Sequence, residues 1–195
     1  MPSGHLHHAP AADRGDGGPA LRDPQIRVRW TDGNLHPRLR PRVDGGRACE
    51  TSGRRGDHRD RAAECGGDEE AGKEGIRPDA AFAQALKETG FFRYGGTVIP
   101  DQNNYCGLGT TSATVKGAYF ETARIGVRAH IQHLLAYASV RPPREDVVDP
   151  RYSLVRAVYS TSTIDTWPGL NGRWAVPGNN YGQEILQILD NITEE

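Results

Sequence analysis

Ala81-Phe82-Ala83-Gln84-Ala85-Leu86-Lys87-Glu88-Thr89-Gly90 is followed closely by Asn103-Asn104-Tyr105-Cys106-Gly107-Leu108-Gly109. The first stretch reads as a short helix of small residues. Asp79 after Pro78 is a start signal, and Gly90 is a natural C-terminal stop. Phe82, Leu86 and Thr89 fall on one face; Ala81, Gln84, Ala85 and Glu88 share another. Glu88 therefore sits in the last turn, with a Gly-punctuated, Asn-rich loop beyond it. The layout is that of a partly desolvated acid beside a polar groove.

Outward from that point, residues 91–120 carry Gly95-Gly96, Pro100, Asn103-Asn104, Gly107, Gly109 and Gly117. This is turn chemistry, with room for short strands at 97–99 and 118–120. A helix is expected from about Thr122 to Ser139, with Val127, Ile131, Leu134, Leu135 and Ala138 as its apolar stripe. Pro142-Pro143 closes it. Asp149-Pro150 is a cap-plus-first-turn signal for a further helix through Leu154, Val155 and Val158. A loop with two tryptophans, Trp167 and Trp174, leads to a last helix whose face holds Tyr181, Ile185, Ile188, Leu189 and Ile192. The expected class is α+β, mostly helical, with an irregular or short-strand lobe.

The 195 residues divide sharply in composition. All four Phe and all seven Tyr lie after Gly75. Residues 1–75 are rich in Arg, Gly, Asp, Pro and His, and hold too little apolar surface to offset the entropy of ordering. They are expected to be a disordered tail, and 76–195 the folded domain. Runs such as Arg54-Arg55-Gly56-Asp57-His58-Arg59-Asp60-Arg61 also fit a GC-rich gene read out of frame; a natural polar tail is the other reading. Net charge is −1, so no global field favours nucleic acid. Three cysteines, with only Cys106 in the domain, imply neither a disulfide framework nor a Cys-based zinc site. No apolar run is long enough to span a membrane, and the first residues lack a signal-peptide core.

Glu88 is the leading candidate for chemistry. A helix C-terminus disfavours a carboxylate, and burial against Ala81, Ala85 and Phe91 or Phe92 adds desolvation. Both raise its pKa, as a general acid for a glycosidic oxygen requires. The alternative is a solvated glutamate beside Lys87. Glu121 and Asp101 are candidates for a second carboxylate, each also readable as an ordinary loop or cap residue. Asn103 and Asn104 offer amides for polar ligands or simply form a turn. Tyr105 fits either a stacking surface or a small core, Trp174 a groove wall or a loop anchor, and Tyr181 a groove or an apolar helix face. His130 and His133 have helical metal spacing, but no third ligand is evident, and polar contacts from helix to lobe are the better reading.

Several separated segments, in order, resemble the glucosaminidase family of bacterial cell-wall hydrolases, also labelled mannosyl-glycoprotein endo-β-N-acetylglucosaminidase. They are Ala83-Gln84-Ala85 with Glu88-Thr89-Gly90, Asn103-Asn104-Tyr105, Gly107-Leu108-Gly109, the stretch from Gly126 to Leu134, Val148-Asp149-Pro150-Arg151-Tyr152, Gly172-Arg173-Trp174-Ala175-Val176-Pro177-Gly178 and Asn180-Tyr181-Gly182-Gln183. The resemblance covers about Gly75 to the C-terminus. It implies a lysozyme-like fold and hydrolysis of β-1,4 bonds after N-acetylglucosamine in peptidoglycan. It makes Glu88 the proton donor and Tyr181 a groove residue, with Glu121 near where such proteins often keep a second carboxylate. Asn103, Asn104, Tyr105 and Trp174 become substrate-binding candidates. No metal or organic cofactor is implied. The expected partner is a glycan strand met by a monomer outside the cell or in its wall. The competing readings are a glycan-binding domain without activity and a truncated gene fragment.

Overall fold

The computed structural model describes residues 66–193. The expectations for residues 1–65, Cys49 and Cys65 included, lie outside them. Among the described residues, five α-helices make the body: α1 (Gly67–Glu74), α2 (Pro78–Glu88), α3 (Ala123–Ala138), α4 (Tyr152–Val158) and α5 (Tyr181–Thr193). Helix α3 packs against α1 and α4, and α2 packs against α1 and α5. Leu134, Leu135, Trp167, Leu170 and Ile185 fill the centre with almost no exposed surface.

Helix α1 was not expected, because its sequence is polar and reads as tail. Charge holds it in place. Glu70 is 2% exposed and bonds Arg124 and Arg128 from α3. Burial works against this carboxylate, yet the guanidiniums hold its pKa below the ordinary range. Glu74 likewise takes Arg141 Nη1 at 2.8 Å and the Arg144 N–H at 2.8 Å. Gly75, in the left-handed region, ends the helix, and Ile76 N–H bonds Ala71 O at 2.9 Å while its side chain enters the core. The packed body thus includes residues 67–75, which the composition had assigned to the tail.

Helices α2, α3 and α5 fall where the periodicity puts them. Thr122 caps α3 by accepting from Ile125 N–H at 3.2 Å. Helix α4 starts two residues later than the Asp149-Pro150 signal suggests. Asp149 instead closes a turn by accepting from Arg151 N–H at 2.8 Å, with its other oxygen on His133.

The lobe forms no strand at 97–99 or 118–120; among the described residues β pairing is limited to isolated bridges. Buried amides replace the ladder. Gln102, fully buried, accepts from Ile99 N–H at 2.7 Å and donates to Lys116 O, and its own carbonyl takes Phe120 N–H at 2.9 Å. Asn104, also fully buried, donates to Leu108 O and Ala118 O and accepts from Leu108 N–H. Irregular backbone is thereby satisfied without a sheet.

The lobe rests on α3 at Gly126, where an added Cβ would lie 1.8 Å from Asn103 O. Gly126→Ala must push lobe and helix apart, so a loss of about 1–3 kcal/mol is expected in thermal or denaturant unfolding. An unchanged melting temperature would show that this contact does not fix the lobe.

Candidate functional site

Helix α2 ends at Thr89, whose hydroxyl donates to Ala85 O at 2.7 Å and accepts from Phe92 N–H at 3.0 Å. This stop leaves Glu88 in the last turn with its carboxylate turned between α5 and the lobe. Tyr181, the first residue of α5, donates its hydroxyl to Glu88 Oε1. The Trp174 indole N–H donates to the same oxygen at 3.1 Å. Glu88 Oε2 faces Gly107, 3.6 Å from where a Cβ there would stand. One oxygen is therefore held by two donors and the other is turned to the lobe side.

Burial is the largest influence on Glu88 and raises its pKa, against the lowering effects of the Tyr181 bond, the Lys87 charge and the Trp174 bond. Burial and the adjacent Glu88 push the Tyr181 hydroxyl well above the phenol range, so it stays a donor. Behind it, Gln84 Nε2 donates to Tyr181 Oη at 2.8 Å, and Gln84 Oε1 meets His130 Nε2 at 2.7 Å. Burial, then the neighbouring His133, lowers the His130 pKa to about 3, leaving a neutral ring.

Trp174 is seated by aromatic contacts. It stacks on Tyr181 at 6.3 Å between centroids and meets His133 edge-on at 4.8 Å. His133 in turn bonds Asp149 at 2.8 Å. The two histidines therefore serve different partners, His130 on α2 and His133 in the segment before α4, so their contacts are polar but not with the lobe.

Two clefts open beside the carboxylate. One, of about 580 Å³, is bounded by the lobe at Tyr94, Val98 and Gly107 and by Trp174. The other, of about 490 Å³, is bounded by Lys87, Asn180, Tyr181 and Glu184. Glu88 and Ala175 border both, which sets Glu88 between two arms of open space.

The other candidate residues are distributed differently from expectation. Trp174 and Tyr181 come together on Glu88. Asn104 and Tyr105 do not reach the groove: Asn104 is fully buried with its amide spent on the lobe, and Tyr105 is 2% exposed, edge-on to Phe92. Asn103 turns its amide to Phe120 O at 2.9 Å and its backbone is left-handed, which is the turn role of asparagine. Glu121 and Asp101 are exposed and border neither arm. From sequence, Gln84 reads as a neighbour on the Glu88 face and as part of a family-like segment, and His130 as a polar helix-to-lobe contact; neither reading points to their link with Tyr181. The signal for the first was its four-residue spacing from Glu88 on one helix face.

The site is thus one glutamate between a mostly helical body and an irregular lobe, with a cleft on either side. Residues 67–194 match the glucosaminidase family, described as mannosyl-glycoprotein endo-beta-N-acetylglucosaminidase, and the chain belongs to that family. A protein of Borreliella burgdorferi described as uncharacterized is 37% identical over 121 residues, which is 62% of this chain and 57% of that relative. The chain thus spans little more than half of that relative's length. No solved structure matches it. Family membership makes this a glycoside-hydrolase type of domain, and no described helix is long and apolar enough to cross a membrane.

Because folding raises the Glu88 pKa, it favours the protonated form. The associated stability is complete below the ordinary value of 4.5 and is lost as pH rises through the folded value. Glu88→Gln stays neutral and still offers one oxygen to Tyr181 and Trp174. Its melting temperature relative to the unsubstituted chain should therefore climb from acid to neutral pH. A difference independent of pH would contradict a raised pKa.

Proposed function

We propose that this domain is an endo-β-N-acetylglucosaminidase that hydrolyses β-1,4 bonds in peptidoglycan, acting in the cell wall or outside the cell. The observation that carries the reading is the position of Glu88: its pKa raised by burial, its Oε1 held by two donors, and a cleft on either side of it. Sugar units would lie in both arms with the scissile oxygen at Glu88.

With Oε1 occupied, the acidic proton belongs on Oε2. Glu88 passes it to the glycosidic oxygen as the bond to the anomeric carbon breaks. A water then adds at that carbon, and its proton returns to Glu88. Trp174 and Tyr181 strengthen their bonds to Oε1 as charge develops on the carboxylate, which favours proton release in the transition state. Among the described residues, the carboxylates bordering the two clefts are Glu88 and Glu184, and Glu184 is paired with Lys87. The substrate's own acetamido oxygen therefore serves better than Glu121 or Asp101 as the group that stabilises the anomeric carbon.

The test is incubation of the chain with purified peptidoglycan, with released ends identified by mass spectrometry. New N-acetylglucosamine reducing ends are expected, falling at least about 10²-fold in Glu88→Gln and staying within about twofold in Glu121→Gln. Loss of activity in both variants would make Glu121 the second carboxylate. Binding to peptidoglycan with no new ends from the unsubstituted chain would replace this reading with that of a glycan-binding domain.

A further inference from the structure

Glu88 is the end of a longer buried chain. Glu88 Oε1 meets Tyr181 Oη, Tyr181 Oη meets Gln84 Nε2 at 2.8 Å, and Gln84 Oε1 meets His130 Nε2 at 2.7 Å. Gln84 is fully buried, and His130 and Tyr181 are each 3% exposed, so solvent competes little for these bonds. Such a chain has two possible polarities. In one, every donor points toward Glu88. In the other, the Gln84 amide is turned over, the Tyr181 hydroxyl donates to Gln84, and Glu88 carries its proton on Oε1, turned away from the groove.

We infer that Gln84 and His130 are positioning residues that fix the polarity of this chain, holding the Tyr181 hydroxyl on Glu88 Oε1 and so keeping the acidic proton on Oε2. Both ends of the chain constrain its direction. An indole N–H can only donate, and the carbonyl oxygen of a carboxyl group accepts better than its hydroxyl oxygen, so Trp174 on Oε1 favours the proton on Oε2. With Tyr181 also donating there, its oxygen must accept from Gln84 Nε2, and Gln84 Oε1 must accept from His130 Nε2–H. A neutral His130 protonated on Nε2 closes the sequence. It anchors the amide of Gln84, which would otherwise be free to turn over. The role of the pair in catalysis rests on the reading of Glu88 as the acid; the polarity of the chain does not.

Two measurements separate these claims. Nitrogen NMR of the unsubstituted chain reads the His130 tautomer directly, and a neutral ring with its proton on Nε2 is expected at neutral pH. A proton on Nδ1 or a charged ring would overturn the polarity. Steady-state kinetics on a soluble glycan then reads the consequence. His130→Phe and Gln84→Met should each lower kcat about tenfold, a part of what a positioned acid contributes, with KM within about twofold. His130→Gln, which keeps a donor in reach of Gln84, should recover most of the loss. The double variant should fall no further than either single one, because both break the same chain. Additive losses, a changed KM or no recovery in His130→Gln would overturn the positioning role. A variant that fails to fold leaves the tautomer to decide the polarity. An unsubstituted chain with the expected tautomer but no activity would overturn the reading of Glu88 as acid and leave the polarity standing.

Discussion

The bond between the Glu88 carboxylate and the Tyr181 hydroxyl is the contact on which the rest of the arrangement depends. It joins the last turn of α2 to the first turn of α5, far apart in sequence. A carboxylate taken out of water needs partners or must give up its charge. Here both happen in part: two donors hold one oxygen, and burial still favours the protonated form. The Lys87–Glu184 pair flanks the outer side of the same junction, and Gln84 and His130 back its inner side. Helix α5 reaches this position because Gly182 packs directly on the Trp167 carbonyl, where any larger residue would collide. The geometry of the site is thus a property of how two helices meet.

The lobe solves a different problem. It must present a groove wall without a sheet to satisfy its backbone. Gln102 and Asn104 do this with side-chain amides buried in the turns they hold together. Gln132 extends the method to the segment before α4, accepting from Val148 and Asp149 N–H and donating to Asp146 O. That segment carries Asp149, which holds His133 under Trp174. A few buried amides therefore run from the lobe's interior to the support of the groove.

This division explains what was legible in the sequence. Helical periodicity gave α2, α3 and α5 and placed Glu88 at a helix end, because those features depend on neighbours three and four residues apart. The resemblance of separated segments identified the family. Helix α1 was missed because its stability comes from Glu70 and Glu74 meeting arginines distant in sequence, and a polar helix carries no apolar stripe to announce it. Asn104 and Tyr105 were expected in the groove because asparagine and tyrosine suit both a sugar and an interior. Only the tertiary arrangement, which turns their side chains inward, decides between the two. The link from Gln84 to His130 crosses two helices and has no local signature.

The central claim is that Glu88 Oε2 is the atom that meets the scissile bond. A crystal structure of the Glu88→Gln chain bound to a peptidoglycan tetrasaccharide tests it most directly. The account predicts sugar rings in both arms of the groove and a glycosidic oxygen about 3 Å from the side-chain atom that replaces Oε2, with Tyr181 and Trp174 still donating to the other. A glycan bound in one arm alone, or crossing the surface with its linkages away from residue 88, would contradict it.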